Sequence, residues 1–235
     1  MTQTSPKGAP WRNFYGRIKG KALRDSQKRY LEDLEHLALP GVDWEENPDR
    51  VALDLDGIFG GKPVWLEVGF GSGEHLVHQA ARNPDVGFIG AEPFINGVAT
   101  CIGKIRDQRL ENIRLHPGDA RDLFDVLPAE SLSRAFLLYP DPWPKARHHR
   151  RRFVTDEHLG PLRDTLRPGA IFRVATDIPD YVRQTMEEVP RAGFRWLGER
   201  ASDWRAPWDD WFRTRYEAKA VREGRTPHYM TFERL

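Results

Sequence analysis

The run Tyr139-Pro140-Asp141-Pro142-Trp143-Pro144 places one carboxylate and one large aromatic ring among three prolines. It leads directly into Lys145, Arg147, His148, His149, Arg150, Arg151 and Arg152, seven cationic or titratable side chains in eight positions. Residues 135–138 are apolar, the pattern of a buried strand, so the run emerges at a strand end and turns sharply at its prolines. A carboxylate can hold the polar edge of a base, an indole can stack on its face, and a dense cationic run neutralises phosphates. The combination predicts chemistry on a nucleic acid.

A second constellation follows the apolar residues 64–68: Glu67-Val68-Gly69-Phe70-Gly71-Ser72-Gly73. Its glycines permit a tight turn and a close backbone approach to a ligand at the next helix N-terminus. Glu92, nineteen positions beyond Gly73, ends the second strand, where an acid can accept hydrogen bonds from both hydroxyls of a ribose. Gly118-Asp119-Ala120 follows the third strand, and an acid there can meet an exocyclic adenine amine. Two readings compete. A dinucleotide site calls for G-x-G-x-x-G. This chain has G-x-G-x-G with Glu67 ahead of it, which is similar to the class I S-adenosylmethionine methyltransferases. Glu67, Gly69, Gly71, Glu92 and Asp119 stand at successive strand ends and converge on one crevice.

The elements that position these residues alternate. Strands are expected at 64–68, 86–91, 113–116, 134–139, 170–175, 194–197 and 227–232, with helices at 74–82, 94–109, 120–126, 153–166 and 178–189. This predicts an α/β fold: one Rossmann-like domain over residues 63–235, with a mostly parallel seven-stranded sheet and helices on both faces. Residues 24–62 supply an N-terminal helix, 24–37, with an apolar face at Tyr30, Leu31, Leu34 and Leu37, then an acidic lead-in. Residues 1–23 read as a flexible basic arm. At 235 residues, 39% hydrophobic and 30% charged, the chain is long enough for one substantial core.

The net charge is only +1, yet it is polarised. Arg12, Arg17, Lys19, Lys21, Arg24, Lys28 and Arg29 face a single acid, Asp25, within one stretch, and acid is concentrated after Glu32. Such polarisation makes a basic face on a nearly neutral protein. No apolar run approaches the roughly 20 residues of a membrane span, no secretory signal is expected, and one cysteine, Cys101, allows no internal disulfide. A cytoplasmic protein is expected, with no membrane partner. The histidines lack metal-site spacing, so no metal is expected. Trp204, Trp208 and Trp211, four and three apart, read as a helical packing face, and a helix over 208–217 would set Thr214 and Glu217 on one side.

Taken in order along the chain, Arg12-Asn13-Phe14 through Gly20, Leu66 to Gly73, Tyr139 to Lys145 with its basic extension, Ala175-Thr176-Asp177 with Tyr181, and Thr214-Arg215-Tyr216-Glu217 resemble the bacterial tRNA (guanine-N7-)-methyltransferase family. The Pro-Asp-Pro-Trp block is the most specific of these, and Tyr139 stands where Phe is common. The resemblance implies transfer of a methyl group from S-adenosyl-L-methionine to N7 of a guanine in tRNA, at position 46 of the variable loop. It implies a cofactor side formed by Glu67, Gly69, Gly71, Glu92, Asp119, Ala120 and Asp141, with Asp141 catalytic. It also implies substrate contacts from Lys145, Asp177, Thr214, Arg215, Tyr216 and Glu217, in a monomer or homodimer. The alternatives are a related methyltransferase acting on another RNA or on an exocyclic nucleobase amine, and a non-catalytic RNA-binding subunit. Asp141 and Trp143 are expected to serve the guanine and the methyl group, 145–152 the phosphates, and the arm tRNA alone, leaving cofactor affinity untouched.

Overall fold

In the computed structural model, which describes residues 12–235, the helix expected over 24–37 is two: α1 (Asp25–Glu32) and α2 (Leu34–Leu37). Asp33 separates them, its amide bonding to the Tyr30 carbonyl in a tightened last turn. Tyr30 packs against Gly103 and Gln27 bonds to Asn96 and Thr100, so this pair lies on a later helix of the domain. A short α3 (Leu55–Phe59) ends in left-handed Gly60.

The alternating core follows as β1 (Val64–Val68), α4 (Glu74–Arg82), β2 (Gly87–Ala91), α5 (Ile95–Gln108), β3 (Ile113–His116), α6 (Ala120–Phe124) and β4 (Leu132–Leu138). A 3-10 turn over Ala146–Arg151 leads to α7 (Asp156–Thr165), β5 (Leu166–Thr176) and α8 (Pro179–Arg191). The chain closes with β6 (Phe194–Trp196), α9 (Ser202–Arg205), α10 (Arg215–Arg222) and β7 (His228–Arg234).

The seven strands form one sheet in the order β3-β2-β1-β4-β5-β7-β6. The first five run parallel, and β7 pairs antiparallel with both β5 and β6. Parallel strands covered on both faces are near-continuous apolar runs. Leu66, Ile89, Ala135 and Val174 are accordingly fully buried. One buried cluster joins α7 and α8 to the sheet through Leu159, Leu162, Tyr181 and Val189. Another joins α4 and α5 through Leu76, Val77, Val98 and Ile102.

Consecutive strands lead outward in opposite directions from β1 and β4, so a crevice opens at their carboxyl ends. Among the described residues no helix is long and apolar enough to cross a membrane, and no cluster of His, Cys, Asp or Glu is placed to hold a metal ion.

The tryptophan expectation is corrected. Pro207 cannot continue a helix, so α9 stops at Arg205 and Trp208 and Trp211 sit in the irregular segment beyond it. Trp204 packs on Trp196, whereas Trp208 and Trp211 pack on Tyr229 of β7.

Candidate active site

The crevice has a volume of about 920 Å³ and lies at the ends of β1, β2 and β4 and the start of α6. Its floor is the glycine turn. Gly71 has φ +60 and Gly73 φ +74, a region that L side chains rarely adopt. A Cβ at Gly97, in the first turn of α5, would overlap the Gly71 carbonyl, so the turn and that helix are in backbone contact.

Glu92 secures the turn. Its carboxylate accepts the Gly71 amide at 2.7 Å and the Phe94 amide at 2.8 Å. Burial of its carboxyl raises the Glu92 pKa, and the two amides only partly restore the ionised form. Asp119 is the N-cap of α6. One of its oxygens accepts the Arg121 amide, and the other takes the Arg121 guanidinium at 2.6 Å and 3.0 Å. Arg121 also reaches Glu157 at 2.6 Å and the Asn13 carbonyl at 3.1 Å.

Asp141 sits in the loop beyond β4, exposed at the crevice wall. Tyr139 and Trp143, two residues either side of it, have φ +49 and φ +40. Each such conformation costs about 1 kcal/mol or more and persists only where its surroundings hold it. Trp143 is half-buried, edge-on to Tyr15, with the Arg151 guanidinium 5.0 Å from its ring.

Of the residues expected on the cofactor side, Gly69, Gly71, Glu92, Asp119, Ala120 and Asp141 line this crevice. Glu67 does not. It is turned under the glycine turn, 4% exposed, with its carboxylate 2.6 Å from His75 Nδ1. Of the expected substrate contacts only Tyr216 lines the crevice, its ring 3.3 Å from where a Cβ on Gly71 would lie.

Arg215 stacks on the Tyr216 ring, and Lys145 is exposed at the start of the 3-10 turn. Asp177 faces a separate hollow of about 640 Å³, where it pairs with Arg225. Thr214 and Glu217 do not point together into a pocket. Thr214 is the N-cap of α10, its hydroxyl accepting the Glu217 amide. The Glu217 side chain is buried and accepts from Trp211 Nε1 at 2.6 Å and the Tyr229 hydroxyl at 2.7 Å.

Three features escaped sequence reasoning. The arm from Arg12 onward is strapped over the crevice: Arg12 pairs with Asp122 and Asp125 at 2.8 Å and 2.7 Å, and the Ile18 carbonyl accepts the Ile95 amide at 3.1 Å. Residues 12–17 line the crevice, while 1–11 of the segment read as a flexible arm lie outside the described residues. Arg121 follows Asp119 by two residues, and that spacing was the available signal. Arg152, grouped with the phosphate-facing run, is instead 1% exposed. Its signal was position, since Phe153 and Val154 begin an apolar segment at the next residue.

Buried and capping carboxylates at the ends of β2 and β3, over a glycine turn open to close approach, suit an adenosyl ligand with an amino-acid tail. Sheet order and site together define a class I S-adenosylmethionine-dependent methyltransferase, and the family model described as "Putative methyltransferase" matches residues 61–230. A tRNA (guanine-N(7)-)-methyltransferase of Ruegeria pomeroyi is 70% identical over 100% of this chain and 99% of its own length. The chain belongs to the tRNA (guanine-N(7)-)-methyltransferase family. Solved structures show the fold far more widely. The 16S rRNA methyltransferase KamB aligns at a TM-score of 0.57 and 17% identity, covering 78% of this chain and 95% of its own. The [4+2]-cyclase SpnF aligns at 0.51 and 16%, covering 90% and 97%. A cyclase on the same fold means that the fold alone does not choose the reaction.

Proposed function

We propose that this protein transfers the methyl group of S-adenosylmethionine to N7 of guanine in tRNA, at position 46 of the variable loop. The observation that carries the reaction is the near full-length 70% identity to a relative named tRNA (guanine-N(7)-)-methyltransferase, and position 46 is what the family resemblance implies. Asp141 on the crevice wall supplies the chemistry locally.

S-adenosylmethionine supplies a methyl group activated by its sulfonium. Glu92 takes the ribose hydroxyls, Asp119 and Ala120 the adenine edge, and Gly69 and Gly71 let the ligand lie close to the backbone. Guanine N7 carries a lone pair and no proton, so the chain needs neither a general base nor a metal ion. It must align the base with the methyl group. The product ring is cationic, and the Asp141 carboxylate stabilises that developing charge while accepting from the guanine N1–H and N2–H edge. Tyr216, Arg215, Lys145 and Asp177 serve the substrate side. Thr214 and Glu217 act at one remove, by holding α10 in place.

The test is incubation of unmodified tRNA with labelled cofactor, then borohydride and aniline treatment, which cuts at N7-methylguanine. Cleavage at position 46 is expected. Label incorporated elsewhere, with no cleavage in the variable loop, overturns the reading in favour of another RNA or an exocyclic amine.

A further inference from the structure

Arg152 closes a run of cations that suits phosphate binding, yet it has no access to a phosphate: its side chain is 0% exposed. Each face of its guanidinium fork is already engaged. Nε donates to the Pro142 carbonyl at 2.9 Å and Nη2 reaches the Trp143 carbonyl at 3.4 Å. Nη1 bonds to Gln184 Oε1 and lies 2.9 Å from the Asp180 carboxylate, both on α8. The guanidinium carbon lies 5.1 Å from the centroid of the Tyr181 ring, also on α8.

The two carbonyls it holds belong to the residues that immediately follow Asp141. They lie within the loop bounded by the positive-φ residues Tyr139 and Trp143. A chain of that conformation relaxes unless something fixes it from outside. α8 is a rigid element, and Arg152 is the bridge from it to the loop. We infer that Arg152 is a positioning residue for the methyl transfer, fixing the Asp141–Trp143 backbone against α8, and that it takes no part in holding tRNA phosphates. This rests on the function proposed above. A planar five-donor fork suits the task, because a lysine offers one point charge where several separate acceptors must be met.

The test compares Arg152→Gln, Arg152→Lys and Arg150→Ala with the wild type, reading kcat and KM for tRNA across a salt series and hydrogen exchange in peptides covering residues 139–147. Removing Arg152 leaves Asp180 with Arg183 and His149 and 42% exposed, so no buried anion is stranded and the variants should fold. Arg152→Gln is expected to lower kcat about 10²-fold, the scale of a misplaced catalytic group. It should also speed exchange in the 139–147 peptides and leave the salt dependence of tRNA KM as in the wild type. Arg152→Lys should recover part of both effects. Arg150→Ala should raise KM for tRNA and flatten its salt dependence, without the faster exchange in the 139–147 peptides. Unchanged exchange in Arg152→Gln, or a loss confined to tRNA KM with a flatter salt dependence, overturns the inference. Because exchange is read without substrate, a wild type that leaves guanine 46 unmethylated would sink the proposed function while the exchange result still decides the role of Arg152.

Discussion

Glu67 and His75 meet at 2.6 Å beneath the glycine turn, both almost wholly buried. The contact ties the carboxyl half of β1 to the first turn of α4, directly under the Gly69–Gly73 backbone. His75 continues to Gln79, which donates to the Asp210 carbonyl at 2.8 Å, and its ring lies between Phe136 and Trp211. The acid expected to touch the cofactor is thus a strut between the turn that holds the ligand and the segment preceding α10.

Truncating either partner leaves a buried polar group without its mate, at a cost of about 2 kcal/mol. Glu67→Ala and His75→Ala should each lower the midpoint of denaturant unfolding. The double variant should lose less than the sum, because the second truncation removes the stranded group. Additive losses would mean that the two side chains are not energetically coupled.

Asp141 presents the opposite case, an exposed carboxylate between two positive-φ residues, Tyr139 and Trp143. Asp141→Ala should fold normally and lower kcat about 10²-fold, as expected for losing a group aimed at developing charge. Asp141→Asn keeps the shape and should lose most of the same activity. Single-turnover methylation with saturating cofactor measures this, and near-normal turnover in either variant would remove Asp141 from the chemistry.

Glu92 links the site to pH. Burial raises its pKa above the ordinary 4.5, so between the unfolded and folded values the native state holds more protons. Stability therefore falls as pH rises through that interval, and Glu92→Gln should abolish this slope. Ligand binding runs the other way. Only the ionised carboxylate has lone pairs for two amides and two hydroxyls together, so cofactor affinity should fall as pH drops through the raised pKa. Calorimetric titration from neutral to mildly acidic pH checks both species. A pH-independent affinity in the wild type would separate Glu92 from the ribose.

The parts legible in the sequence were those encoded by local periodicity and by turns. β1, α4 and β3 lie at the expected residues because their apolar spacing is unambiguous and glycine or an acid marks their ends. The carboxylates of β2, β3 and β4 fall into one crevice because strand ends in this topology have only one place to go. What the sequence concealed was side-chain direction. Glu67, Glu217 and Arg152 carry the same letters whether they face a ligand or a buried partner, and those partners, His75, Tyr229 and Pro142, are chosen by tertiary packing. Thr214 and Glu217 also match a capping box, S/T-x-x-E, but only half of it forms, because Trp211 and Tyr229 take the carboxylate.

The arm separates two roles that the sequence merged into one. Its composition suggested a phosphate-binding tail without influence on the cofactor, but from Arg12 to Arg17 it lines the crevice and is held there by α6 and Arg121. Arg12 is committed to Asp122 and Asp125, whereas Lys19 and Lys21 are exposed and do not line the crevice. Arg12→Ala should therefore weaken cofactor binding severalfold and leave the salt dependence of tRNA binding unchanged. Replacing Lys19 and Lys21 together should do the reverse. Every phosphate left without its cation lowers the slope of log affinity against log salt by about 0.7 to 0.9. Equilibrium binding of cofactor and of tRNA to both variants decides it. If Arg12→Ala binds cofactor like the wild type, the strap covers the crevice without contributing to it, and the arm's work is on tRNA alone.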